Sequence, residues 1–307
     1  MTELTFKMTA ATNVGLVRTN NEDNFIVNPD LTADNWFVPD NPETSLTLGK
    51  DGCLLVVADG MGGMNAGEVA SALAVESLRD SFSDMPAMTE GDAANVIPHF
   101  LCHAIELADK RIKDRVREDP STSGMGTTVV AVWVRDGIAH VAWCGDSRAY
   151  LFNRQSGLSR LSKDHSYVQQ LVDKGELDPE LAFFHPNSNI ITRSLGDNPT
   201  KAQPDYISRK LSQGDMLLLC SDGLCGLCKD EEILDILSAE EEGGSIEHCK
   251  NALIEAALTA GGHDNVTVAL FQCLTLKENE LTQTLVGKPK KKRGLCRLFS
   301  RRKREDE

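Results

Sequence analysis

Six consecutive apolar residues, Cys53-Leu54-Leu55-Val56-Val57-Ala58, end abruptly at Asp59-Gly60. A run this short and this uniformly apolar reads as a buried strand. Other β-like runs lie at 5–12 and 24–27 before it, and at 127–134, 138–144, 148–152, 206–209, 216–220 and 266–271 after it. Asp136-Gly137, between two of these runs, is a strong hairpin signal.

Helical periodicity separates the strands. Apolar residues recur at three and four over 66–82 and 93–117, as in Val69, Leu73 and Leu101, Ile105. Shorter helices are expected near 167–174, 230–237 and 246–260. Residues 29–51, with Pro29, Pro39 and Pro42, read as a long loop, and 164–189 as a polar, mobile stretch around one short helix. Hairpins among the strands favour an α+β sandwich of mainly antiparallel sheets covered by helices over a doubly wound parallel sheet.

With 41% hydrophobic and 25% charged residues, the 307-residue chain can bury a sizeable core. One domain over 1–275 is expected, followed by a basic, disordered tail over 276–307. Residues 288–307 hold ten Lys or Arg against three acids, so the net charge of −14 leaves about −21 on the rest. Such a body excludes general nucleic-acid binding, which needs a positive surface, and suits the collection of divalent cations. The N-terminus has no signal-like segment and no apolar run approaches the ~18 residues of a spanning helix, so a cytoplasmic monomer is expected. Nine scattered cysteines, Cys53, Cys144 and Cys220 among them, fit reduced thiols.

Four acidic sites share one design, a carboxylate beside a strand followed by a residue that turns the chain. They are Glu22-Asp23, Asp59-Gly60, Asp222-Gly223 and Asp264-Asn265. Taken singly, an Asp-Gly is more often a turn than a ligand. Strand-end carboxylates can converge at one sheet edge, and an oxygen cluster without His or Cys selects hard cations such as Mg2+ and Mn2+. Two such ions suit in-line displacement at phosphorus by metal-activated water. That route needs no serine nucleophile, in keeping with a chain that has no G-x-S-x-G motif.

Seven motifs in order resemble the PPM (PP2C-type) family of metal-dependent Ser/Thr phosphatases, in its bacterial branch, across roughly residues 4–273. They are Arg18-Thr-Asn-Asn-Glu22-Asp23, Val56-Val-Ala-Asp59-Gly60-Met-Gly-Gly63, Gly126-Thr127-Thr128, Gly145-Asp146-Ser147-Arg148, Arg193-Ser-Leu-Gly196, Ser221-Asp222-Gly223 and His263-Asp264-Asn265. The resemblance implies a four-layer α-β-β-α sandwich with two Mn2+ or Mg2+ ions at one end. It implies that Asp59 bridges both ions, that Asp222 and Asp264 complete one site, and that Glu22 and the Gly60 carbonyl serve the other. Arg18 would grip the substrate phosphate, while Asp23 and Asn265 would hold waters or neighbouring ligands. Asp146 matches a third, weaker metal position shared with Asp222, or else caps a hairpin turn. Met61 stands where animal members carry a histidine proposed to protonate the leaving alkoxide, and a thioether cannot do so. The stretch 164–189 occupies the place of a flap beside the cleft.

The function implied is hydrolysis of phosphoserine and phosphothreonine in phosphorylated proteins, reversing a cognate Ser/Thr kinase. Its rivals are a catalytically silent phosphoprotein-binding module of the same fold and a phosphatase of small phosphorylated molecules. Remaining signals have plainer readings. Cys225 and Cys228 read as buried thiols beginning a helix, His99 and His103 as a surface helix, and Trp133 and Trp143 as core. His165 either opens the flap, as in the family, or is a loop hydrogen-bonder. The basic tail, with Thr282 and Thr284 upstream, admits a solvated tail, a contact for anionic membrane or an acidic partner, or a nuclear address.

Overall fold

The computed structural model describes residues 3–33, 36–62, 66–85, 93–196, 201–239 and 245–277. The basic tail, Thr282, Thr284 and Gly63 lie outside the described residues.

The chain opens with β1 (Glu3–Asn13), β2 (Asp23–Asn28), β3 (Leu46–Thr47) and β4 (Cys53–Met61), followed by α1 (Gly67–Ser83) and α2 (Ala93–Glu118). Then come β5 (Gly126–Thr127), β6 (Val129–Arg135), β7 (Ile138–Cys144), β8 (Arg148–Asn153) and β9 (Gly157–Arg160). Two short helices follow, α3 (Tyr167–Asp173) and α4 (Pro179–Ala182), before β10 (Asp205–Lys210) and β11 (Met216–Cys220). The chain continues through α5 (Asp222–Cys225), α6 (Asp230–Ala239), α7 (Ile246–Thr259) and β12 (Val266–Lys277).

Two antiparallel sheets form, ordered β3-β1-β12-β11-β8-β9 and β10-β7-β6-β4-β2, with β5 paired to β4. Side-chain alternation along each strand explains the layering. On β4, Cys53, Leu55 and Val57 meet Phe6 and Phe271 between the sheets, whereas Leu54, Val56 and Ala58 pack under α1 and α2 against Leu78 and Leu101. On β12, Ala269 and Phe271 face inward, whereas Val268 and Leu270 pack under α6 and α7 against Ile233 and Leu253. Helix, sheet, sheet and helix therefore stack as four layers. The hairpin at Asp136-Gly137 has both residues at positive φ, 52° and 75°, which suits the right-handed twist of β6 and β7.

Several sequence expectations need correction. The strand 53–58 does not stop at Asp59, because Gly60 and Met61 go on pairing with Thr127 and Gly126 of β5. The final strand reaches Lys277, since β1 pairs with it as far as Glu3, so a boundary at 275 falls inside β12. The loop 29–51 contains β3, and 164–189 contains α4 as well as α3. Cys225 closes α5 and Cys228 precedes α6, both buried, so neither begins a helix. Trp133 and Trp143 are core, as expected. No helix among the described residues is long and apolar enough to cross a membrane.

Candidate active site

One end of the sandwich gathers carboxylates from five separate segments. Asp59 on β4 lies opposite Asp23 on β2 in the antiparallel register. Its backbone is fixed by the Gly126-Thr127-Thr128 segment: the Thr128 N–H and the Thr127 hydroxyl each donate to the Asp59 carbonyl at 2.8 Å. Thr128 Oγ1 accepts the Asp59 N–H at 3.2 Å and meets Ser147 Oγ at 2.6 Å. The Thr-Thr and Gly-Asp-Ser-Arg motifs thus hold Asp59 in place from a neighbouring strand.

Asp222 begins α5 directly after β11, and α5 packs so closely on β12 that a Cβ at Gly223 would sit 1.9 Å from the Asn265 carbonyl. Burial pushes the Asp59 carboxyl well above the usual range, and the charges of Asp222, Asp23 and Asp146 push it further. Asp222 is raised by burial and by Asp264. Asp59 and Asp222 therefore crowd one another, and both carboxyls are raised.

Asp23 is buried and pushed up to about 7 by its loss of water, against the pull of two hydroxyl donors. Ser221 Oγ and Thr267 Oγ1 each donate to its Oδ2 at 2.7 Å. Asp23 therefore ties β2 to the residue preceding Asp222 and to β12. Asn265 does similar work: its Oδ1 accepts the Glu22 N–H at 2.8 Å, and its Nδ2 donates to the carbonyls of Val14 and Asn20 at 2.9 Å each.

Glu22 is half-buried and raised by that burial. Its backbone carbonyl accepts the Gly60 N–H at 3.2 Å. Glycine is required at Gly60, where a Cβ would lie 2.3 Å from the Gly67 carbonyl, and at Gly67 a Cβ would lie 2.7 Å from Glu22 Oε2 and displace that carboxylate. Arg18 does not stand alone at the rim: its Nη2 donates to Asp264 Oδ2 at 2.7 Å. Asp264 Oδ1 accepts the Asn265 N–H at 2.9 Å.

Asp146 occupies the turn between β7 and β8. Its Oδ1 is buried with no hydrogen-bond partner, and burial with the charges of Asp222 and Asp164 raises its carboxyl well above the usual range. An unpartnered buried oxygen of this kind is expensive unless a cation or donor meets it. A cleft of ≈ 1090 Å³ runs from Asp146, Asp222 and Asp264 past Leu181 and Phe184 to Lys229. Leu181 and Phe184 are exposed, so the 164–189 stretch is less polar than its sequence implies. Lys229 Nζ lies 4.8 Å from the centre of the Phe184 ring.

The donor set is all oxygen and anionic, which fits a hard divalent cation. Among the described residues, no three His, Cys, Asp or Glu side chains close into one ready ligand shell. The carboxylates instead crowd one another, with Arg18 meeting Asp264 at the rim, and a dication would relieve that crowding.

The protein phosphatase 2C profile matches residues 42–255. The chain belongs to the protein phosphatase 2C family. Within that family it is 37% identical over 258 residues to the serine/threonine protein phosphatase PstP of Mycobacterium tuberculosis, a match covering 83% of this chain and 46% of PstP. The chain thus spans about half the length of that relative. It is 38% identical over 217 residues to the protein phosphatase PhpP of Streptococcus pneumoniae, covering 71% of this chain and 84% of PhpP. A crystal structure of the catalytic domain of PstP in complex with two manganese ions superposes with a TM-score of 0.69 at 32% identity, covering 89% of this chain and all of that one.

Sequence reasoning placed Asp59, Asp222, Asp264, Glu22, Gly60, Arg18, Asp23, Asn265 and Asp146 at the site, and the fold brings all nine to the same end. It missed the work of Thr127, Thr128, Ser147, Ser221 and Thr267. For Thr267 a signal existed: period-2 alternation puts its hydroxyl on the face of β12 that carries Ala269 and Phe271. His165 is buried and hydrogen-bonded on both ring nitrogens, as the plainer reading held. His99 and His103 lie on α2, with His103 exposed beside Glu106.

Proposed function

We propose that this chain is a metal-dependent serine/threonine protein phosphatase acting on phosphorylated proteins and opposing a Ser/Thr kinase. The observation that carries the reading is the convergence of Asp59, Asp222, Asp264, Glu22 and Asp146 at one end of the sandwich, with the Asp146 Oδ1 buried and without a hydrogen-bond partner. Such crowding of buried carboxylates is costly to the fold and is offset when cations bind among them.

In this reading Asp59, Asp222 and Asp264 would hold one ion, and Asp59, Glu22 and the Gly60 carbonyl would hold the other. Asp146, with its unpartnered oxygen, and Asp222 offer a third, weaker site. The ions are Mn2+ or Mg2+; when bound they supply an activated water and neutralise charge on the phosphoryl oxygens. Arg18 swings between Asp264 and a phosphate oxygen, where its fork makes paired charge-assisted bonds. Asp23 and Asn265 keep the β2, β4 and β12 ends in register, so the carboxylates are placed before substrate arrives. Met61 offers no proton, so the leaving alkoxide takes one from water or from another residue.

The exposed Leu181 and Phe184 lie along the approach to the site, where the residues flanking a phosphoserine or phosphothreonine would pass. The body through Lys277 is the catalytic unit and acts in the cytoplasm, and the basic segment beyond it is an appendage that turnover on a soluble phosphopeptide does not need. Phosphate release from a phosphothreonine peptide, measured after EDTA and after adding back Mn2+ or Mg2+, tests the reading. Metal-dependent release that survives deletion of 280–307 supports it. No release under any metal condition overturns it.

A further inference from the structure

The turn Gly145-Asp146-Ser147-Arg148 is tied down at every residue except the one that carries the unpartnered carboxylate. Gly145 is gripped twice by His165: its N–H donates to His165 Nδ1 at 3.1 Å, and its carbonyl accepts the His165 N–H at 2.9 Å. Ser147 is bonded to Thr128, and Arg148 spans both oxygens of Asp164, with Nε to Oδ1 at 3.0 Å and Nη2 to Oδ2 at 2.7 Å. Gly145 lies at φ 124°, and a Cβ there would fall 2.5 Å from Thr128 Cβ, so the peptide has no room to shift toward β6.

His165 is itself immobilised. Because Nδ1 accepts from Gly145, the ring proton lies on Nε2, which faces Asp205 Oδ2 at 3.1 Å; Arg193 Nη1, 3.2 Å from the same nitrogen, donates to Asp205 Oδ1 at 3.2 Å. Its ring stacks near-parallel to Trp143 at 6.2 Å between centroids. Its carbonyl accepts the Thr192 N–H at 2.7 Å, and Ser166 bridges to Ile191, so both ends of the flap segment close on this residue.

We propose that His165 is a positioning residue: through its Nδ1 acceptor it fixes the Gly145 peptide and so holds the Asp146 carboxylate in the cluster, joining the root of the flap to that carboxylate. The inference rests on the phosphatase reading insofar as Asp146 serves a cation. Outer partners of metal ligands commonly alter metal affinity or activity by about 10–100-fold.

The test uses the full chain and two variants that separate the ring nitrogens. An asparagine at 165 places its amide oxygen near the Nδ1 position, whereas a glutamine reaches toward the Nε2 position. Mn2+ binding is followed by calorimetry, and phosphate release from a phosphothreonine peptide is followed against Mn2+ concentration. His165→Gln is expected to weaken the loosest class of Mn2+ by about 10-fold, while His165→Asn restores most of the wild-type affinity. In an Asp146→Asn background, His165→Gln should add little further loss, because its effect runs through Asp146. Equal losses in the Asn and Gln variants, through folding or otherwise, overturn the proposal, as does full additivity with Asp146→Asn. A wild-type chain that binds no Mn2+ and releases no phosphate overturns the phosphatase reading itself, a result distinct from either.

Discussion

Arg18 and Asp264, 246 positions apart in the chain, meet at 2.7 Å between Nη2 and Oδ2. The pair sits at the mouth of the carboxylate cluster and is partly exposed, so its own contribution to stability is small. Its importance lies in what replaces it when an anion arrives.

Replacing Arg18 by Ala is expected to lower kcat/KM on a phosphothreonine peptide by roughly 10–100-fold, as loss of one or two charge-assisted hydrogen bonds implies. Arg18→Lys should recover only part of this, because an ammonium cannot present a planar fork. Steady-state kinetics at saturating Mn2+ decides it. Full recovery by Lys would mean that charge alone is needed.

Asp59→Asn should separate stability from activity. It removes a buried carboxyl crowded by Asp222, Asp23 and Asp146, so the metal-free protein should melt at a higher temperature than wild type. Phosphate release should fall by more than about 100-fold, beyond the range seen for outer-shell partners. Calorimetric melting in EDTA, run beside the activity assay, checks both halves.

The raised carboxyls also set a pH dependence for the metal-free protein. Asp23 moves from an ordinary 3.8 to about 7 on folding, so between these values the folded state binds more protons than the unfolded one. Stability is therefore fully present below about pH 4 as far as this group is concerned, and is lost as pH rises through about 7. In EDTA, Tm should be lower at pH 8 than at pH 5.5 by at least about 5 °C. Mn2+ should shrink or reverse the difference and release protons on binding. A flat profile in EDTA would contradict the burial of these groups.

Gly223→Ala should destabilise the fold by about 2 kcal/mol or more. The new methyl would overlap the Asn265 carbonyl, which is backbone and cannot rotate away. Urea unfolding measures the loss. An unchanged midpoint would show that α5 sits farther from β12 than described.

Much of the fold was legible because burial writes itself into local pattern. The run Cys53–Ala58 could only be a buried strand, and the three-and-four spacing of Leu101 and Ile105 could only be a helix lying on a core. Asp136-Gly137 announced its hairpin because few residue pairs accept two positive φ values. Where local pattern is weak, reading failed: β3 has two residues, β9 lies at a sheet edge with mixed side chains, and α4 is a single turn. The end of β4 was misread because Asp59-Gly60 looks like a turn, whereas β5 supplies pairing partners more than 60 residues away.

The sequence by itself pointed to the residues that could do chemistry here, through its strand-end carboxylates and through a resemblance to the PPM family that supplied the role of Arg18. Its hairpins favoured a sandwich covered by helices, and the resemblance implied the four layers. Tertiary structure alone decided the burial and support of those groups. That Ser221 and Thr267 converge on Asp23, and that His165 grips Gly145, depends on strand register and loop closure. Those are relations between distant segments, and no local stretch of sequence carries them.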